Sequence, residues 1–198
     1  MHASAAPALS GPLLDFLFAK ILSGGLGVEN PQRQPKADRI QMTRTLQTEP
    51  LSQAAFAPFG DVLEASGDFR LINAGLCKRH HDRAKLDFAG ATPGISIFQA
   101  DPRSLPYSLD LIERHPKGSQ AFLPMTAQPF LVIVALDPQT RPRAFLTNGA
   151  QGINLHRNIW HGVLTPLTAP GLFAVIDRIA SDLNLEEHHY PTPWIITA

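Results

Sequence analysis

Eighteen prolines and fourteen glycines are scattered through the 198 residues, and few stretches run long enough to complete several helical turns. What lies between them alternates instead. Residues 95–99, 107–115, 120–123, 130–136, 143–147 and 172–177 each read as a strand, short and rich in β-branched and aromatic side chains. Leu136-Asp137-Pro138 and Thr147-Asn148-Gly149 supply turn chemistry between them. Residues 69–76 form a strand or a loop interrupted by Asn73 and Gly75, and Ser52 caps a short helix that runs to Phe56 and is closed by Pro58 and Gly60. Many short strands with little helix predict a mainly β fold, a sandwich or barrel, and no internal repeat is visible.

The first forty-odd residues do not share this pattern. Residues 28–41, VENPQRQPKADRIQ, have almost nothing to bury and cannot offset the entropy of ordering them. Residues 1–41 are therefore expected to be a disordered extension and residues 42–198 a single domain; Met42 could itself begin a chain. The apolar run LLDFLFAKIL at 13–22 is interrupted by Asp15 and Lys20 and reads as a short amphipathic helix, not a signal or a membrane span. Lys+Arg and Asp+Glu both count 17, so no basic field exists to hold a nucleic acid or an anionic membrane. One cysteine, Cys77, excludes an internal disulfide and suits a reducing, cytoplasmic setting, where it reads as a small apolar filler.

Polar residues inside the pattern carry the functional information. In YSLDLIERH, strict alternation places Tyr107, Leu109, Leu111, Glu113 and His115 on one face, so inward leucines bring Glu113 and His115 inward at the strand's end. Gln120 opens the next strand on the face of Phe122 and is expected at the same barrel mouth. The second cluster is NLHRNIWHG, residues 154–162. There His156 and Trp160 share parity, and His161 faces away unless Asn158 makes a turn. Taken singly, His115 and His156 fit structural histidines, Trp160 a core aromatic, Glu113 half of an ion pair and Arg157 a surface residue. His80, His81 and Asp82 fit a solvated loop as readily as a site. Convergence is what favours function.

The string ERHPKGSQAFLPM, residues 113–125, is similar to the first cupin motif, with Glu113 and His115 at its two histidine positions and Gln120 in place of its glutamate. His161 falls at the later cupin histidine. FxxFGDVL at 56–63, INAG at 72–75, ERHPKGSQAF, FLTNGAQGINLHRNIWH and AVIDR together resemble ureidoglycolate lyase, in continuous order from about 43 to 193. Ala74, and the lack of paired glycines after Arg178, depart from that family's pattern.

The resemblance implies a cupin-like β-barrel of jelly-roll type with a few short helices, acting on a small molecule. The implied reaction splits (S)-ureidoglycolate into glyoxylate and urea, late in allantoin (purine) breakdown. Such cleavage removes a hydroxyl proton and protonates the departing nitrogen, work for His115, His156, His161 or Glu113. Asn73, Arg79 and Arg157 are the candidates for holding the substrate carboxylate, with Gln120 and Trp160 beside them. His115, Gln120 and His161 are the candidate ligands of a loosely bound divalent ion, nickel by resemblance, and no nucleotide or redox cofactor is expected. A homodimer joined through sheet edges is the expected assembly. Two alternatives stay open: a ureidoglycolate amidohydrolase, and a cupin binding module without catalysis. A chain beginning at Met42 is expected to melt cooperatively and turn over like the full chain; loss of the cooperative thermal transition would overturn that expectation.

Overall fold

Apolar alternation builds fourteen strands within residues 44–198, the part of the chain that the computed structural model describes. The extension expected at residues 1–41 lies outside the described residues. The elements are β1 (Arg44–Pro50), α1 (Gln53–Phe56), β2 (Gly60–Leu63), β3 (Arg70–Ile72), β4 (Cys77–Arg79), β5 (Thr92–Ala100) and β6 (Tyr107–Arg114). They continue with β7 (Gln120–Pro124), β8 (Phe130–Ala135), β9 (Arg143–Leu146), β10 (Gly152–Leu155), β11 (Trp160–His161), β12 (Thr165–Pro166), β13 (Gly171–Ile179) and β14 (Glu186–Thr197).

Six strands close a ring in the order β11-β6-β14-β1-β9-β8, because β8 pairs back onto β11. A five-stranded sheet, β2-β10-β7-β13-β5, covers one side of that ring. Two cores follow. Leu46, Leu109, Ile112, Leu131, Ile133, Ala135, Ala144, Trp160 and Ile196 come from all six ring strands and fill its interior. Phe122, Val132, Val134, Phe145, Ile153, Leu155, Phe173 and Val175 fill the space between ring and sheet. Strand β8 serves both, alternating Leu131, Ile133 and Ala135 into the ring with Phe130, Val132 and Val134 into the sandwich. It reads as one apolar run because both its faces are covered. The mainly β, cupin-like barrel with few short helices is thus what the chain forms.

The short helix is placed as its sequence requires, with the Ser52 hydroxyl accepting from the Ala55 N–H at 3.3 Å. β1 and β14 are the two long strands that the sequence pattern leaves unassigned. β1, RTLQTEP, is polar at most positions yet lies between β14 and β9, parallel to both. β14 holds Pro191 and Pro193, but they fall where its pairing with β6 is irregular, between His189 and Trp194, and no ladder hydrogen bond is lost there. The same irregularity corrects the face assignment in β6. Leu109 and Ile112, three residues apart, both enter the ring interior, so strict alternation slips between them. Glu113 consequently points out of the ring, toward the sandwich.

Among the described residues no helix is long and apolar enough to cross a membrane. In the sandwich core Phe145 is fully buried, with its ring 5.5 Å from that of Phe56 at 86° and 6.3 Å from that of Phe59. Phe145→Ala removes this edge-to-face cluster and is expected to cost ~3–5 kcal/mol of unfolding free energy, read from the midpoint of a denaturant titration.

Candidate active site

Glu113, His115 and His161 bring one ligand atom each within 4.8 Å of one another. Register explains two of them. β11 pairs with β6 so that His161 lies opposite Glu113, and with β8 so that His161 lies opposite Val134, a sandwich-core residue. All three side chains therefore face the sandwich, and Trp160, one residue earlier, faces the ring interior. His115 follows β6 directly and closes to 5.3 Å between ring centroids of the two imidazoles. Its own carbonyl accepts from the Asn158 N–H at 3.0 Å. Asn158 has φ +70°, so the turn that the sequence required for His161 to reverse its facing is present.

Hydrogen bonds fix which nitrogen of each imidazole is free. His115 Nδ1 lies 2.7 Å from the Asn184 carbonyl oxygen, and His161 Nδ1 lies 3.1 Å from the Gly162 carbonyl oxygen. A carbonyl only accepts, so each Nδ1 carries a proton and Nε2 is the nitrogen left free of a main-chain partner. The Nε2 of His161 is buried and has no partner. With 4% of its surface exposed, His161 is pushed down to about 4, by burial first and by the His115 charge second, against the Gly162 hydrogen bond. Burial pushes the Glu113 carboxyl up; His115 opposes this and Glu187, opposite Glu113 in β14, adds to it. Two imidazole Nε2 atoms and a carboxylate, one nitrogen without a partner, are a donor set that fits a divalent cation.

Beside the cluster lies a cleft of ≈ 230 Å³ lined by His115, Ser119, Gln120, Asp177, Arg178 and Asn184. Gln120 is thus where the sequence places it, beside His115. Asp177 and Arg178 were missed as site residues, although their string AVIDR had been noted. The available signal was two opposite charges ending an otherwise apolar strand. Arg178 has only 10% of its side chain exposed, donates through Nη1 to Asp182 at 2.7 Å, and keeps a buried Nε without a partner.

The remaining candidates sit elsewhere. His156 Nε2 is 3.3 Å from Asp61 Oδ2, which also accepts from Asn154 Nδ2 at 2.9 Å and the Lys85 N–H at 2.8 Å. Burial works against ionising Asp61, yet these donors outweigh it and hold its carboxyl below the usual range. That knot ties β10 to β2 and braces the turn before β11. Arg157 pairs with Asp87 at 3.4 Å near the surface. Trp160 is buried in the ring core with the Arg114 guanidinium 4.6 Å above its ring. Asn73 and Arg79 are exposed on the β3–β4 hairpin, where Arg79 Nη2 reaches His81 Nδ1 at 2.9 Å. His80 bonds the Ser66 carbonyl at 3.0 Å, and the HHD segment adds nothing to the cluster.

Residues 43–197 match the family model described as ureidoglycolate lyase. Ureidoglycolate lyase of Rhodobacter capsulatus is 56% identical over 156 residues, spanning 76% of this chain and 97% of that protein. The Chelativorans sp. protein of the same name is 48% identical, spanning 77% of this chain and 96% of its own length. Ureidoglycolate lyase 2 of Rhizobium meliloti is 46% identical, spanning 75% and 95%.

The buried His161 gives this site a pH signature. An unfolded chain protonates it near 6.5, the folded one only at about 4. Between those values the unfolded state binds the extra proton, so the contribution of His161 to stability is complete above 6.5 and lost as pH falls to about 4. In chelator-treated protein His161→Phe is expected to flatten the fall of Tm across that window; an unchanged slope would show that the imidazole is protonated in the fold.

Proposed function

The chain belongs to the ureidoglycolate lyase family, and we propose that it cleaves (S)-ureidoglycolate into glyoxylate and urea at the Glu113–His115–His161 cluster. The observation that carries this reading is the convergence of two imidazole Nε2 atoms and one half-buried carboxylate beside a cleft of small-molecule size.

The reaction breaks one C–N bond. Its electron pair leaves with the ureido nitrogen, the hydroxyl oxygen becomes a carbonyl, and a proton moves from that hydroxyl to the leaving nitrogen. Glu113 is the residue we assign to the transfer. Burial raises its pKa above the ordinary carboxylate range, which makes the ionised form a better base and the protonated form an acid still able to give the proton up. His161, neutral down to about 4, is a poor proton acceptor at working pH, and its Nε2 is better suited to holding an electrophile. Arg178 is the cation within the cleft, and the unpaired Nε makes it our candidate for holding the substrate carboxylate. Arg79 and Arg157, nominated on sequence grounds, are engaged by His81 and Asp87.

The residues fit a divalent ion: His115 and His161 through Nε2 and Glu113 through one oxygen would hold it, and Gln120 lines the adjoining cleft. Such an ion supplies Lewis-acid polarisation of the substrate's oxygens. Nickel remains the proposed identity, consistent with a set of borderline nitrogen donors. A cytoplasmic setting and a role in allantoin breakdown belong to the same proposal. So does a homodimer, which is supported by a hairpin that pairs with no other strand and leaves Leu71 and Leu76 exposed, the latter at 91%.

Incubation with (S)-ureidoglycolate is expected to release urea and not ammonia; ammonia would favour an amidohydrolase, and no turnover a binding module. His115→Ala and His161→Ala are each expected to lower kcat ~100-fold or more, with the double variant little worse than the poorer single one, because residues acting as a unit are strongly non-additive. Near-normal turnover per folded molecule would make both histidines structural.

A further inference from the structure

Asp177 is a charged group that the proposed chemistry leaves unused. Phe173 and Val175 of β13 enter the sandwich core, and Asp177 continues on their side at the strand's end. Val175 lies opposite Phe122 and Ile176 opposite Ala121, so one further step of the same register sets Asp177 beside Gln120. Both residues line the cleft that contains His115. Asp177 Oδ1 is buried without a hydrogen-bond partner, and among the described residues the side chain enters no ion pair. The cations nearest in sequence do not pair with it, since Arg178 Nη1 and Lys117 Nζ both donate to Asp182.

An ionised carboxylate can only accept hydrogen bonds, and buried acceptors in folded proteins nearly always find a donor. What enters the cleft can supply that donor. The two halves of the proposed substrate differ sharply in this respect. The ureido group presents several N–H donors, whereas the glyoxylate half presents one hydroxyl beside a carboxylate that Asp177 would repel. We infer that Asp177 accepts hydrogen bonds from the ureido N–H groups and so determines both the orientation of the substrate and its selection over hydroxy acids lacking a ureido substituent. Gln120, alongside, offers an amide donor suited to the ureido carbonyl. The inference rests on the lyase reading of the site, but Asp177 takes no part in bond breaking. It is a specificity residue.

Its test separates the two products, each used alone as a ligand of the purified full-length protein. Asp177→Asn keeps the shape and removes the charge-assisted acceptor. Urea binding, followed by ligand-detected NMR and by inhibition of turnover, is expected to weaken about 10-fold or more, as for loss of a hydrogen bond to a charged group, while glyoxylate binding is unchanged or tighter. KM should rise more than kcat falls. Asp177→Ser provides a smaller replacement in case the amide disturbs the fold, and should show the same selective loss. Equal weakening of both products, or unaltered urea binding, would overturn the inference. So would loss of nickel binding by Asp177→Asn in a metal titration, which would make Asp177 a ligand. If wild-type protein releases no urea from ureidoglycolate, the lyase reading fails by itself; the direct urea and glyoxylate titrations still decide the role of Asp177.

Discussion

A strand of two residues holds this architecture and its site together. Trp160 and His161 form β11, which pairs on one side with β6 and on the other with β8 and thereby closes the six-stranded ring. Adjacent residues of a strand point to opposite faces, so the closure has two consequences at once. Trp160 becomes part of the ring's filling, and His161 is driven into the sandwich opposite Glu113. The turn before β11 must reverse the chain in very little space. Asn158 adopts the left-handed backbone, and Asp61, Asn154 and His156 tie its base to β2. His156 thus belongs to the knot beside that turn and not to the cluster.

Each imidazole has its Nδ1 committed to a main-chain carbonyl, that of the distant Asn184 for His115 and that of the adjacent Gly162 for His161. Carbonyl partners of this kind set ring orientation as well as tautomer. The free nitrogens are therefore aimed by the backbone. Burial then keeps His161 neutral, and a neutral imidazole with a lone pair facing a carboxylate is the state required for binding an electrophile.

How far the sequence alone reaches depends on what each residue's placement rests on. Gln120 and His115 were legible because they flank one tight turn, where local parity suffices. His161 was legible only conditionally, through the turn at Asn158. Ser52 was legible as a cap because capping is local. The face of Glu113 was misassigned: alternation from Leu109 slips before Ile112, opposite the proline-bearing irregularity of β14, a strand whose polar text concealed it, so Glu113 faces away from Leu109. Arg79 and Arg157 were nominated as cations and Asn73 as an amide donor, and neither property says where a hairpin or a turn will point. Asp177 and Arg178 were hidden because their cleft forms only when β7, β13 and the segment around Asn184 meet, a contact distant in sequence.

The cluster's electrostatics also bear on the order of events. With nothing bound, Glu113 faces burial and the nearby Glu187, and both raise its affinity for a proton. A divalent cation placed among Glu113, His115 and His161 would reverse that balance, because its charge outweighs any neighbouring carboxylate. Binding would then displace a proton from Glu113, and affinity for the ion would weaken as pH falls. The anionic substrate faces the same carboxylates, and Asp177 adds another, so a cleft holding only these groups would repel it. A cation at the cluster, together with Arg178 in the cleft lining, would relieve that repulsion. Asp177, furnished with N–H donors by the ureido group, then ceases to be a penalty and becomes a contact that only the correct end of the substrate can make. The opposed demands of the two ends, donors for one and acceptors for the other, are what a site with this distribution of charge can distinguish.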